Sequence, residues 1–122
     1  LPHAHYLGRE VWGQAVFPDG AMRWLLRIDR WNVNSQDMYY YEEPIFLPAG
    51  TTLSMRWVYD NSADNPFNPS DPPRLVQYGP LSADEMSDLI FQVVPSSRED
   101  LETLSRDLCL RVNLQRGWCS ER

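Results

Sequence analysis

Thr51-Thr52-Leu53-Ser54-Met55-Arg56-Trp57-Val58-Tyr59 alternates along its length: Leu53, Met55, Trp57 and Tyr59 fall on one side, Ser54 and Arg56 on the other. A period of two belongs to a β-strand, so this stretch predicts a half-buried antiparallel strand. Working backwards, Pro48-Ala49-Gly50 reads as a turn, and Pro18-Asp19-Gly20 as a hairpin between a strand within residues 4–17 and a return strand from Ala21 to Trp31. Asn32 to Asp37 is a polar loop. Met38 to Leu47 is rich in aromatics and interrupted by Pro44, which suggests an edge strand or a strand end.

Working forwards, Asp60 to Pro73 holds four prolines and three asparagines and predicts a long, structurally defined loop. Arg74 to Tyr78 and Glu85 to Val94 read as two further strands. In the second, Leu89, Phe91 and Val93 share the core face, while Met86, Asp88 and Ile90 share the other. Beyond Pro95 the period changes. Ser96-x-x-Glu99 is a capping box, and Leu101, Leu104, Leu108 and Val112 follow at helical spacing. One amphipathic helix is predicted over about 97–113, its leucine stripe docked on the strands. The expected organisation is residues 1–95 as a β domain and 96–122 as a C-terminal helix and tail.

Composition agrees with an all-β class, since five Trp and six Tyr among 122 residues favour strands, and ten prolines imply many turns. Trp, together with Met22, Met38 and Met55, supplies candidate core residues, and Tyr39-Tyr40-Tyr41 reads as strand packing. The net charge of −6 argues against nucleic acid and against an anionic membrane as partners. All eleven cations are Arg, which excludes Schiff-base lysine chemistry and a P-loop. No apolar run approaches the roughly 20 residues needed to span a bilayer. Cys109 and Cys119 could form one local disulfide or stand as two free thiols. The chain begins at Leu1 with no signal-peptide pattern, so it is expected to be a processed or excised segment.

The chemistry-bearing residues lie far apart. His3-Ala4-His5 contains the chain's only two histidines, and on a strand this spacing directs both imidazoles to one face. Ser82-Ala83-Asp84-Glu85-Met86 stands far downstream. Met86 is assigned to the face away from the core, where packing alone would not place it. Two imidazoles and a thioether suit copper, and the soft sulfur favours Cu(I). Asp84 and Glu85 could be an acid/base pair, but neighbours on a strand face opposite ways, and a solvated charged turn is the expected reading.

Pro2-His3-Ala4-His5-Tyr6-Leu7-Gly8, Tyr59-Asp60-Asn61-Ser62, Asn65-Pro66-Phe67-Asn68-Pro69 and Ser82-Ala83-Asp84-Glu85-Met86 occur in that order. Together they resemble the C-terminal, catalytic domain of the copper type II, ascorbate-dependent monooxygenases, the group of peptidylglycine α-hydroxylating monooxygenase and dopamine β-monooxygenase. The Asn-Pro elements look like its bacterial relatives. The resemblance covers about residues 2–94. It implies an antiparallel jelly-roll β-sandwich, with His3, His5 and Met86 as ligands of a catalytic copper. It also implies hydroxylation of a substrate C–H bond with dioxygen, and ascorbate as reductant.

Three departures qualify what the resemblance implies. The family's second, electron-transfer copper is held by histidines of a preceding domain, and this chain has none to spare, so an N-terminal copper domain is the expected missing partner. The family domain also has strands upstream of His-x-His. Finally, where peptide-processing members hold a carboxylate with Asn and Tyr, this chain has Asp88 and Ile90, and an aspartate repels a carboxylate. A small-molecule substrate other than a peptidylglycine is expected, as is a periplasmic or extracellular location. The isolated chain is expected to be inactive. The alternative is a non-catalytic jelly-roll module that binds copper or a protein partner. A carbohydrate-binding sandwich finds no supporting spacing.

Overall fold

The computed structural model describes residues 1–116, with side chains described as far as Cys109. They form mostly strands in two antiparallel sheets, with one helix: β1 (Pro2–Ala4), β2 (Gly8–Val16), β3 (Met22–Ile28), β4 (Thr52–Tyr59), β5 (Ser87–Leu89) and α1 (Arg98–Arg116). One sheet has the order β3-β2-β4 and the other pairs β1 with β5. The chain divides into two compact units, Leu1–Phe91 and Gln92–Arg122.

The β2–β3 hairpin turns where Pro18-Asp19-Gly20 predicts it. Gly20 N–H donates to the Phe17 carbonyl at 2.9 Å, and Phe17 N–H to the Ala21 carbonyl at 2.8 Å. Pro18 presets the turn's first φ, and Gly20 takes a φ of 84°, a left-handed conformation that costs a side-chain-bearing residue about 1–2 kcal/mol. Two irregularities shape the sheet. One, between Gly13 and Gln14, leaves Leu25 opposite no residue of β2. The other, at Arg9 on the β4 side, leaves its carbonyl to accept Trp31 N–H at 2.7 Å. That bond anchors Trp31, 8% exposed, in the core with Ala4 and Val11, and Trp57 meets it edge-to-face at 5.0 Å.

Glycine lets the two sheets touch. A Cβ added at Gly13 of β2 would lie 2.5 Å from Leu89 Cδ2 of β5. One added at Gly8 would lie 2.8 Å from the Trp31 ring and 3.2 Å from Ala4 Cβ of β1. On the opposite face of the three-stranded sheet, Trp12 meets Trp24 edge-to-face at 6.4 Å, and the Arg56 guanidinium stands 4.8 Å over the Trp12 ring.

Several expectations are corrected. Met38–Leu47 is no strand: Pro44 lacks a donor, and the Tyr41 hydroxyl takes the Leu25 carbonyl at 2.7 Å instead of a ladder forming. Tyr39, Tyr40 and Tyr41 are exposed rather than packed, and so are Met22, Met38 and Met55. Arg74–Tyr78 contributes only a single bridge, Tyr78 to Glu85. The run Glu85–Val94 pairs over Ser87–Leu89 alone, and residues 4–17 divide into two strands because the chain turns at Tyr6-Leu7. β4 pairs as expected, yet Leu53, Met55 and Tyr59 are exposed and only Trp57 of that face is half-buried. The helix is capped one residue later than predicted. Ser97 Oγ accepts Asp100 N–H at 3.1 Å and donates to the Asp100 carboxylate at 2.8 Å. Leu101, Leu104 and Leu108 are exposed, and the Val112 side chain lies outside the described residues. Cys109 is disulfide-bonded, and Cys119 lies outside the described residues.

The loop from Asp60 to Pro73 is built by its asparagines. Asn65, only 4% exposed, donates to the carbonyls of Asp60 at 2.8 Å and Tyr6 at 3.3 Å, and accepts Phe67 N–H at 3.0 Å. Asn68 donates to Asn61 Oδ1 at 2.9 Å and accepts Ser70 N–H at 3.0 Å, and Asn61 donates to the Arg74 carbonyl at 2.8 Å. The bond from Asn65 to Tyr6 ties this loop to the segment that carries the histidines.

Candidate metal centre

The pairing of β1 with β5 brings the two distant motifs together. The register sets Pro2 opposite Leu89, His3 opposite Asp88 and Ala4 opposite Ser87. Just beyond the ladder, His5 N–H and Met86 N–H both donate to Glu85 Oε1, which holds the two backbones close. Directly opposed residues share a face. Pro2 and Ala4 are buried, and Leu89 packs against Gly13. His3 and Asp88 therefore belong to the other face, and the His5 ring meets His3 there. The His3 and His5 ring centroids are 5.2 Å apart, nearly perpendicular at 85°. His5 is 8% exposed, and His3 and Met86 are half-buried.

The acidic pair before Met86 is not a solvated turn. The half-buried Glu85 carboxylate accepts His5 N–H at 2.7 Å, Leu7 N–H at 2.9 Å and Met86 N–H at 3.0 Å. It thus satisfies backbone donors that the chain leaves unpaired where it turns out of β1. Asp84 turns its carboxylate to Leu81 N–H at 3.2 Å and its backbone carbonyl to the His5 ring. Gly79 makes room for this: a Cβ there would collide with the Asp84 carboxylate. Tyr59, at the end of β4, has its hydroxyl pKa pushed up by burial, and a hydrogen bond with Ser87 partly offsets this.

Each imidazole is held at Nδ1. His5 Nδ1 lies 3.0 Å from the Asp84 carbonyl, which can only accept, so Nδ1 carries the proton. His3 Nδ1 lies 2.6 Å from Gln36 Oε1. The Gln36 amide nitrogen donates to the Val33 carbonyl at 2.9 Å, which turns its oxygen towards His3 and makes His3 Nδ1 the donor. In the neutral form both rings are therefore Nδ1–H tautomers, and each then keeps an Nε2 lone pair for a ligand role.

Among the described residues no three His, Cys, Asp or Glu side chains gather where they could hold an ion. A metal held by the two imidazoles would need a third donor of another type, and the Met86 thioether is the candidate in the neighbouring segment. Two imidazole nitrogens and a thioether would form a borderline-to-soft set that suits copper better than magnesium or calcium. The fold juxtaposes the sequence segments of all three expected residues, His3, His5 and Met86. Sequence reasoning missed Gln36 and the role of Glu85, because bonds spanning 33 and 80 residues leave no local pattern. The chain matches no family model, no curated protein and no solved structure. No helix among the described residues is long and apolar enough to cross a membrane.

Proposed function

We propose that this chain carries the catalytic copper of a monooxygenase that hydroxylates a small molecule at a C–H bond. The observation that carries the reading is the pair of imidazoles 5.2 Å apart, both bonded at Nδ1, one on β1 and one just past its end, next to the segment that leads from Met86 into β5. His3 Nε2, His5 Nε2 and the Met86 sulfur would hold the metal. Bound there, copper would supply dioxygen activation, with electrons from an ascorbate-type reductant. Glu85 fixes the backbone at His5 and Leu7, and the Asp84 carbonyl and Gln36 fix the two rings. Asp88, opposite His3, sets a negative charge beside the site and disfavours a carboxylate-bearing substrate such as a peptidylglycine.

The reading includes a jelly-roll completed by further strands, and a partner domain that carries the electron-transfer copper in a periplasmic or extracellular setting. The two antiparallel sheets are compatible with that architecture. A second reading, a non-catalytic copper-binding module, is favoured by one fact: both histidines of the chain are spent on one site.

The test is a Cu(I) titration against a competing chelator. Wild type should bind one copper, and His5→Ala should lose that binding, because two remaining ligands hold copper poorly. Met86→His should shift preference towards Cu(II). Equal Cu(I) affinity in wild type and His5→Ala would overturn the site. Ascorbate-dependent oxygen uptake that requires added substrate supports the enzyme, and stoichiometric copper without it supports the module.

A further inference from the structure

We infer that Gln36 is a positioning residue of this centre: it selects the His3 tautomer that leaves Nε2 free to bind a metal. The inference rests on the copper reading for its consequence but not for its geometry. In water a histidine side chain prefers the Nε2–H tautomer, which would block the nitrogen assigned to the metal. Something must reverse that preference at each ring. At His5 the Asp84 backbone carbonyl does so, at 3.0 Å. At His3 no backbone carbonyl is within reach among the described hydrogen bonds, and the acceptor is the Gln36 side chain, at 2.6 Å.

Gln36 is held for that task from both ends. Its amide nitrogen is committed to the Val33 carbonyl at 2.9 Å, so the amide cannot flip to present a donor to His3. Its loop starts right after Trp31, which is buried and bonded through its N–H to Arg9. The loop is then closed by Ser35 N–H on the Asn32 carbonyl and Asn34 N–H on Asn32 Oδ1, both at 2.9 Å. The chain thus runs from a core anchor through two turn bonds to one amide oxygen on the ring. A glutamine merely filling a surface would need none of this. The acceptor is neutral, so it fixes the tautomer without adding charge beside the metal. Acceptors of this kind, when removed, typically cost about 10- to 100-fold in metal affinity.

The experiment reads the tautomer and the metal separately. Nitrogen-15 correlation spectra of the metal-free protein, taken above the imidazole titration range, report which ring nitrogen carries the proton. Wild type should show Nδ1–H at both histidines. Gln36→Leu should move His3 towards Nε2–H, leave His5 unchanged and weaken Cu(I) binding about 10- to 100-fold. Gln36→Asn, one methylene too short to reach, should do the same and carries the test if the leucine variant does not fold. Gln36→Glu, which keeps an acceptor for His3 Nδ1 but has no donor for the Val33 carbonyl, should still hold the His3 proton on Nδ1. An unchanged His3 tautomer in Gln36→Leu and Gln36→Asn overturns the inference, and so does a loss of affinity without a tautomer change. A wild type that shows the Nδ1–H pattern but binds no copper defeats the copper reading while leaving the tautomer result standing.

Discussion

Glu85 shows how one side chain can hold a site to which it would donate no ligand. Its carboxylate takes the N–H groups of His5 and Leu7 where β1 ends and the chain turns, and Leu7 is itself buried. Hydrogen bonds to a charged acceptor are worth about 1.5–3 kcal/mol, and orphaning a buried donor costs more than the bond contributed. Glu85→Ala should therefore destabilise the fold by about 3 kcal/mol in urea denaturation. Glu85→Gln, which keeps one acceptor oxygen, should lose about half as much. A change in Glu85→Ala as small as that of an exposed charge, within about 0.5 kcal/mol, would deny the carboxylate this role. His3, His5 and Met86 stand out in the sequence as candidates because their types suit a soft metal. Glu85 is visible only as a charged neighbour, since nothing local announces that residues 5 and 7 will present unpaired donors to it.

At the scale of elements, alternation and turn chemistry identify β2, β3 and β4, because those signals are local and the pairings are between sequence neighbours or across one loop. Met38–Leu47 and Arg74–Tyr78 have strand-like composition, yet composition cannot supply a partner edge, and no ladder forms on them. The capping serine is displaced by one because Ser96 and Ser97 are equivalent by type, and only Ser97 stands three residues before an acidic partner that it reaches. The Asp60–Pro73 loop keeps its predicted order through Asx bonds, and one of them depends on pH. Asp60 Oδ1 accepts Ser62 N–H at 3.0 Å. Bonds from Ser62, aided by Arg9, hold the Asp60 carboxyl below the usual carboxylate range. A depressed folded pKa means that the ionised form stabilises the loop fully above the unfolded value of about 3.9, and that this contribution is lost as pH falls through the folded value. Exchange protection of Ser62 N–H should thus decline below about pH 4 in wild type. Asp60→Asn, which retains the acceptor oxygen without titrating, should flatten that decline. Identical acid profiles in the two proteins would show that another group controls the loop.

At the scale of the whole unit Leu1–Phe91, the candidate centre is an outgrowth of the core. β5 carries Leu89 on one face and Asp88 on the other, so the side chain that packs against Gly13 and the residue opposite His3 move together. Pairing of β1 with β5 spans nearly the full unit, and no periodicity could reveal it, since strands this short carry almost no pattern. Two glycines separate packing of the centre from stability in general. Gly13→Ala would drive a methyl to 2.5 Å from Leu89 Cδ2, and overpacking of this kind costs about 1–3 kcal/mol. The new methyl meets the tip of the Leu89 side chain, so either that side chain rotates or β5 shifts, and a shift of β5 is expected to move Met86, just before it, against the histidines. Gly20→Ala strains a hairpin with a φ of 84° and costs about 1–2 kcal/mol, with open space around the new methyl and no link to β5. The two variants should lose comparable stability in denaturant, but only Gly13→Ala should weaken Cu(I) binding when both are measured well below their melting temperatures. Equal affinity in the two variants would mean that Leu89 turns aside without moving β5, or that the candidate ligands do not depend on how β5 seats against β2.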